Sequence, residues 1–572
     1  MQRMSDSFPR QQARTQGFSL GSPRSFQISP DGARVAFLRS QGGTDPVTCL
    51  WVLDTGTGAE RLVVDPGALA AGGDVPALEQ ARRERSRERA GGIVAFATDT
   101  ALSLAAFTLA GQVHVADLTG QAPPREIGAA VPALDPRPDP AGQRVAYVSA
   151  GALRSIDLGT GQDTQIIGPN GTPGLSYGLA EFIAAEEMGR LRGYWWAPDG
   201  SALLVARVDE TPVQRWHIAD PANPGRPATE VAYPAAGTPN ADVSLLLARL
   251  DGSTAEVAWD RDAFPYLVTV NWDASDPLIV VQSRDQRRVR LLATDPERDA
   301  VAVLADDFDE RWLDIVPGVP AWASDGRIVW TADAEGARRL LVATPEELAE
   351  GTAVPVTPPG LQVRDIIDTG ADGVLFTASG AEPTEIGLWL YQPGELAELT
   401  PGSGIHGGRR AGGTTVIASR SLAEAGVTVR VLRDEPGAPA AREVARIASL
   451  AERPNLPTPH PDLFAAGTRG IRTALLLPSW HRPGSGTLPV LMDPYGGPHA
   501  QRVLAAQAAF LTPQWFAEQG FAVVVADGRG SPGRGPQWDR AVWHDLATPV
   551  LEDQMTALHA AAERCADLDL GR

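Results

Sequence analysis

The sequence predicts two folded regions in series, a β-propeller followed by an α/β segment, and three observations predict them. A unit made of a tight turn and a short alternating strand recurs along most of the chain. A proline-rich crossing near residue 455 ends that pattern. Beyond the crossing, apolar strands alternate with helical stretches.

Residues 1–21 are polar and are expected to form a disordered N-terminal arm. The turn-and-strand unit then appears as Ser29-Pro-Asp-Gly-Ala-Arg-Val-Ala-Phe37, Pro140-Ala-Gly-Gln-Arg-Val-Ala-Tyr147 and Pro198-Asp-Gly-Ser-Ala-Leu-Leu-Val205. It continues as Ser324-Asp-Gly-Arg-Ile-Val-Trp330 and Ala371-Asp-Gly-Val-Leu-Phe376. Asp-Gly supplies the positive-φ residues of a hairpin turn, and the alternation after it buries one face of a strand. Clear copies are spaced about 47 to 60 residues apart, or near twice that where one has diverged, which suits a four-stranded propeller blade. Residues 22–455 leave room for seven or eight blades.

The character changes at Pro454-Asn-Leu-Pro-Thr-Pro-His-Pro461. In 456–572, Thr473–Pro478, Leu488–Met492 and Phe521–Ala526 read as strands. A stretch around Gln501–Gln519 reads as helical, and Val550–Arg564 as an amphipathic helix. Alternation of this kind predicts a sheet of parallel strands. The sequence stops at Leu568-Asp-Leu-Gly-Arg572, where the next strand ought to begin.

Composition narrows the function classes. A chain of 572 residues exceeds one hydrophobic core. Its 59 Gly and 48 Pro suit many tight turns. There is no lysine: all 50 basic residues are arginine, so a Walker lysine, a Schiff-base lysine and a Ser-Lys dyad are excluded within these residues. Net charge of −20 argues against a nucleic-acid surface. Cys49 and Cys565 lie at opposite ends and offer no disulfide framework, which points to a reducing compartment. With no apolar signal region near the N-terminus and no apolar run longer than a strand, a cytoplasmic protein with no membrane partner is expected.

Several motifs invite chemical readings. Gly17-Phe-Ser-Leu-Gly21 and Gly174-Leu-Ser-Tyr-Gly178 both fit G-x-S-x-G, the nucleophile elbow, but neither follows a buried strand directly as an elbow must. Both read as loop glycines. Gly528-Arg-Gly-Ser-Pro-Gly533 follows a strand, yet Pro532 and Gly535-Pro536 prolong a loop where a dinucleotide site needs a helix; no cofactor is expected. The eight histidines show no metal-ligand spacing, so no metal is expected either. Arg82-Arg-Glu-Arg-Ser-Arg-Glu-Arg89 has the pattern of a charged, solvated helix. Glu186-Glu187 can equally be a solvated face or a cation clamp, since two close carboxylates are relieved by a bound ammonium. A peptide α-amino group is such a cation at neutral pH.

Glu186-Glu-Met-Gly-Arg-Leu-Arg-Gly-Tyr-Trp-Trp-Ala-Pro-Asp-Gly200 resembles the double-Glu segment of the dipeptidyl peptidase IV family of serine peptidases. Asp493-Pro-Tyr-Gly-Gly-Pro-His499 resembles that family's Tyr-Gly/Ala-Gly-Pro loop. Ala526-Asp-Gly-Arg-Gly-Ser531 followed by Leu551-Glu-Asp-Gln554 is a third match, in the family's order. The resemblance implies an eight-bladed propeller capping an α/β-hydrolase domain and an exopeptidase that releases dipeptides, Xaa-Pro or Xaa-Ala preferred. It implies that Glu186 and Glu187 hold the free N-terminus of a peptide substrate. Tyr495 would donate its hydroxyl to the oxyanion of the tetrahedral intermediate. The arginine run matches the family segment whose last-but-one Arg reaches the substrate backbone carbonyl, which puts that role on Arg87, with Arg85 as the alternative. Many members of the family are dimers, so a homodimer is left open.

The resemblance also implies that the serine nucleophile and the triad Asp and His would lie beyond Arg572. These residues alone are therefore expected to lack peptidase activity. Two rivals stand beside the dipeptidyl peptidase. One is an oligopeptidase or acylaminoacyl peptidase of the same architecture, for which a Glu pair has no cation to meet. The other is a non-catalytic binding propeller with a hydrolase remnant.

Overall fold

The computed structural model describes residues 6–69, 75–295, 298, 300–435, 437 and 441–571. Its strands form eight antiparallel sheets in sequence order, spanning 24–64, 97–126, 133–167, 175–257, 266–308, 321–343, 362–398 and 405–447. These are the eight blades of a propeller. Each blade is drawn from one contiguous segment, so no strand of the last blade completes the first. The ring closes through side chains instead: Val35, Phe37 and Leu53 of blade 1 pack with Val416, Val429 and Val431 of blade 8. Thr414 Oγ1 donates to the Gly32 carbonyl across the seam at 2.8 Å.

The Asp-Gly turns join the first and second strands of their blades, and Gly32, Gly200, Gly326 and Gly373 all lie at positive φ. Asp31 shows what the aspartate does: it accepts from Ser29 Oγ and from the Ala33 N–H, closing the turn before the strand Arg34–Ser40 begins. Blade 2 performs the same closure without glycine. Asp99 accepts from the N–H groups of Ser103 and Leu104, and Leu102 takes the left-handed conformation.

Two blades carry excursions that matter for function. In blade 4 the first strand is split. Leu175–Tyr177 and Tyr194–Trp196 both pair with Ala202–Asp209, and 178–193 leave the sheet between them. The chain departs and returns at one point, because Gly178 N–H donates to Ala206 C=O and Ala206 N–H donates to Gly193 C=O. The two legs nearly touch: a Cβ on Gly193 would lie 2.5 Å from the backbone of Gly178 and Leu179. A second excursion from the same blade forms a hairpin of Arg215–Ile218 with Thr229–Ala232. In blade 1 the chain leaves after Glu60–Val64, forms the helix Ala77–Arg85 and rejoins the blade at Gly91–Gly92, parallel to Val47–Thr48.

Residues 462–569 build a five-stranded sheet with strands in the order Asp462–Ala466, Ile471–Leu476, Ala522–Asp527, Leu488–Met492 and Leu568–Asp569. The expectation of parallel strands needs correction. The first three pair antiparallel, and only Leu488–Met492 runs parallel to its two neighbours. The direct turn at Gly467–Gly470 makes the first pair a hairpin, which leaves no room for a crossover helix. The stretch around Gln501–Gln519 is likewise shorter in helix than expected. A 3-10 turn over Gln507–Phe510 leads into an α-helix over Leu511–Glu518, because Gln501 and Gln507 are spent on carbonyls of Pro383 and Leu422 in the propeller. The long helix Thr548–Arg564 is present.

The N-terminal arm is not disordered. Phe8–Arg14 is a helix whose Phe8 stacks on Trp515 and on Phe18, at 6.5 and 5.9 Å between ring centroids. Gln11 bonds Glu452 and the Arg453 carbonyl in the crossing, and Gln12 bonds Thr512. Two phenylalanines in a polar stretch are enough to anchor it.

The second region rests on blades 5 to 8 through charged contacts. Arg540, almost fully buried, donates to Asp309 at 2.8 Å and Asp333 at 2.6 Å, while Arg338 reaches Asp314. Asp539 sits in this cluster with an oxygen that has no partner, and burial pushes its carboxyl up to about 7. An unfolded Asp ionises near pH 4, so between about pH 4 and pH 7 the folded chain keeps a proton that the unfolded chain has lost. Stability should therefore fall as pH rises through that window and level off above it. Asp539→Asn removes the penalty. Its advantage over the parent should be near zero at pH 4 and on the order of 4 kcal/mol at pH 8. Thermal denaturation of both proteins across that range measures the difference, and an advantage that does not grow with pH would refute the assignment.

Candidate functional site

The Glu pair sits on the blade 4 excursion. Phe182–Glu187 is a six-residue helix capped by Glu181, whose carboxylate accepts from the Ala184 N–H. That carboxylate also pairs with Arg190 at 3.4 Å, and both side chains are buried. Burial raises the pKa of Glu181 and lowers that of Arg190, each opposed by its partner's charge. Arg190 also donates to the carbonyls of Leu267 and Arg192. Below the helix, Tyr194-Trp195-Trp196 are buried in the blade and Tyr194 donates to the Ala146 carbonyl at 2.9 Å. The Gly-Tyr-Trp-Trp motif is thus the footing of the excursion: Gly193 permits the close crossing and the aromatics root it.

Glu186 and Glu187 occupy the last turn of this helix and are exposed. A helix C-terminus carries partial negative charge, which makes it a poor place for carboxylates. Neither carboxylate forms an ion pair or hydrogen bond among the described residues. An arrangement that is unfavourable by itself and open to solvent suits a cationic ligand.

The arginine run divides at the end of its own helix. Arg82 and Arg83 both pair with the buried Glu79. Arg85, the last helical residue, lies over the Phe182 ring at 5.1 Å, on the first turn of the Glu helix. Arg87 follows Ser86 at φ 54°, with Arg87 N–H donating to Glu84 C=O and Glu88 N–H to Arg83 C=O. This is a Schellman turn with arginine at the position usually held by glycine, and it reverses the chain. The structure therefore brings Arg85 to the Glu helix and carries Arg87 to another cavity, beside Gln16 and Arg24 of the N-terminal arm and blade 1.

Aromatic rings extend the site. Phe182 meets Tyr233 edge-on at 5.2 Å, and Tyr233 packs on Trp216 of the hairpin at 4.4 Å. Glu210, whose pKa is raised by burial against the opposing charges of Arg215 and Arg85, lies at the base of the hairpin. Sequence reasoning missed these rings. Tyr233 and Phe182 are fifty-one positions apart in the sequence and share no pattern.

Tyr495 lies in the second region, on the loop after Leu488–Met492. The loop is clamped at both ends. Asp493 pairs with Arg502 at 2.6 Å, and Asp527 accepts from the N–H groups of Arg502 and Val503. Burial pushes Asp527 up to about 6 against those bonds. Between the clamps Tyr495 is 51% exposed, and its hydroxyl has no partner among the described residues. The third motif is structural. Asp553, fully buried, accepts from Arg529 N–H at 2.7 Å, from Arg529 Nε at 3.0 Å and from Arg469 at 2.9 Å. Glu552 also pairs with Arg529, and Gln554 donates to the Ala526 carbonyl. A cavity of about 330 Å³ lies between the regions, bordered by Trp312, Arg364, His499 and Asp539.

Neither G-x-S-x-G is an elbow. Ser176 is paired within blade 4 opposite Val208, and Gly174 and Gly178 are needed for their positive φ. At Gly21 a Cβ would lie 2.6 Å from the Leu450 carbonyl carbon. Among the described residues no helix is long and apolar enough to cross a membrane.

Comparison with known proteins agrees with this architecture. The family profile of the dipeptidyl peptidase IV N-terminal region matches residues 108–419, and that of the prolyl oligopeptidase family matches 507–569. A probable dipeptidyl-aminopeptidase B of Coccidioides posadasii is 24% identical over 452 residues, covering 70% of this chain and 48% of the relative. Venom dipeptidyl peptidase 4 of Apis mellifera is 27% identical over 217 residues, 34% of this chain and 27% of its own. The chain spans about half the length, or less, of these curated relatives. The crystal structure of Porphyromonas gingivalis dipeptidyl peptidase 4 superposes with a TM-score of 0.78 at 18% identity, covering 98% of this chain and 79% of that one. At that identity the superposition shows the fold.

Proposed function

The chain belongs to the dipeptidyl peptidase IV family of serine peptidases, and from that premise we propose that residues 1–572 form the substrate-reading part of a dipeptidyl aminopeptidase. The observation that carries the reading is the exposed, unpaired Glu186-Glu187 at a helix C-terminus. The protonated α-amino group of a peptide would bind there. Two carboxylates at the end of a closed excursion would measure the distance from N-terminus to scissile bond. To Arg85, which lies over Phe182 on the same helix as the pair, we assign the donation of a hydrogen bond to a substrate carbonyl, in preference to Arg87. Tyr495 would turn its free hydroxyl to the developing oxyanion. Xaa-Pro and Xaa-Ala peptides are the proposed substrates and the cytoplasm the proposed location; no metal or cofactor enters the scheme.

Binding tests this apart from chemistry. Titration calorimetry should show that an Ala-Pro peptide with a free amino terminus binds residues 1–572, whereas its N-acetylated form does not, and that the bound peptide is left uncleaved. Arg85→Met should weaken binding about tenfold or more, as loss of a charge-assisted hydrogen bond does. Equal affinity for free and acetylated peptide would favour the oligopeptidase or acylaminoacyl peptidase reading. No binding of either would favour a non-catalytic propeller.

A further inference from the structure

The arginines left over from the peptide site gather around a second cavity of about 350 Å³, between the N-terminal arm, blade 1 and the turn that follows the arginine-rich helix. Arg24, Arg39, Arg87 and Arg89 line it. Two of them are matched: Arg24 pairs with Glu88 at 2.8 Å, and Arg39 with Glu60. Arg87 and Arg89 are exposed, and their guanidinium groups have no ion pair or hydrogen bond among the described residues. Two unmatched positive charges thus face one cavity in a chain of net charge −20.

Arg39 makes this more than a basic patch. It is 3% exposed and stacked against Trp51 at 4.4 Å, with its terminal nitrogens held by Glu60 and the Ala448 carbonyl. Its Nε is buried and has no hydrogen-bond partner. A buried donor left unsatisfied is costly, and Arg39 is one of the residues lining the cavity, so an oxygen-rich ligand there would lie beside a guanidinium whose donors are not all used. Arg24 adds a buried Nη2 that pairs by charge yet makes no hydrogen bond. Ser22 and Thr48 also line the cavity.

We propose that this cavity binds a compact dianion of the phosphate monoester class. Two unmatched guanidinium groups balance a phosphate dianion, and forked arginine donors match its tetrahedral oxygens. The volume exceeds that of an inorganic anion and leaves space for a small organic group. The site is independent of the Glu pair: it rests on Arg24, Arg39, Arg87 and Arg89, and the peptide site proposed above uses Arg85 in place of the Arg87 that the resemblance implied. The Schellman turn at Ser86–Glu88 separates the two, with Arg85 on one side and Arg87 on the other.

Glycerol 3-phosphate is the probe, with succinate as a dicarboxylate of equal charge. Phosphorus NMR line broadening and titration calorimetry on residues 1–572 should show saturable binding of the phosphate ester at millimolar concentration or below, with succinate weaker. Arg87→Ser with Arg89→Ser should weaken it at least about tenfold, leave the unliganded melting temperature unchanged and leave Ala-Pro peptide affinity unchanged. Thr48→Val, a near-isosteric change, should weaken binding to a smaller degree. Binding that survives the double substitution, or succinate binding as tightly as the ester, would overturn the proposal. So would the absence of saturable binding.

Discussion

Replacing both Glu186 and Glu187 by glutamine is expected to reduce the affinity for a peptide with a free amino terminus by at least about 100-fold. Each carboxylate would give up a charge-assisted hydrogen bond to an ammonium, worth roughly 1.5–3 kcal/mol. Neither carboxylate has an ion pair or hydrogen bond among the described residues, so the substitutions break no contact within the chain. Folding should be unaffected or slightly improved, since two carboxylates at a helix C-terminus oppose the helix dipole. The single substitutions should show unequal losses if one carboxylate bears the contact and the other sets the field. Calorimetry with Ala-Pro peptide, free and acetylated, reads both effects. Retained preference for the free amino terminus in the double variant would move the recognition site elsewhere.

The second large effect is on stability. Asp553→Ala should destabilise the C-terminal region by about 2–4 kcal/mol, the cost of lost charge-assisted hydrogen bonds and of a backbone donor left without its acceptor. Asp553 is fully buried and receives Arg469, the Arg529 side chain and the Arg529 N–H. It lies so close to the strand-end loop that a Cβ on Gly528 would come within 2.7 Å of it. Truncation therefore leaves the Arg469 guanidinium and the Arg529 N–H without their acceptor, leaves the Arg529 side chain to Glu552 and the Pro549 carbonyl, and loosens the helix Thr548–Arg564 from the loop after Ala522–Asp527. The expected change is confined to one region, so a readout resolved by segment is the fitting one. Hydrogen exchange should show lost protection in 522–531 and 548–564, with the propeller blades unchanged. Asp553→Asn should fall between parent and alanine variant. Unchanged protection in these segments would mean that the motif is not the lock described here.

Legibility in the sequence followed the range of the interactions. Blades announced by Asp-Gly were readable because turn chemistry is local: one aspartate, one positive-φ glycine and an alternating strand suffice. Blade 2 was hidden because Asp99 makes the same closure with Leu102 in the glycine's place, and blade 8 because its turn runs Gly412-Gly413. The helix of the N-terminal arm was hidden since its anchor Phe8, itself stacked on Phe18, meets Trp515 about five hundred residues on. The antiparallel start of the last sheet escaped an alternation rule that counts strands without pairing them. In the arginine run, spacing along the helix could not separate Arg85 from Arg87, because Arg87 itself is left-handed and turns the chain, leaving Arg85 over Phe182 and Arg87 at the second cavity.

The sequence by itself determined the order of a propeller and an α/β region, the family, and the three motifs around Glu186, Tyr495 and Asp553. Those depend on short patterns whose chemistry is complete within a few residues. Only the tertiary structure decided that Glu186 and Glu187 stand unpaired on a helix carried by a split strand, that Arg85 meets the same helix at Phe182 from blade 1, and that four arginines share one cavity. Each of these joins side chains far apart in the chain, and their meeting is set by where excursions leave and rejoin the blades, which no local pattern encodes.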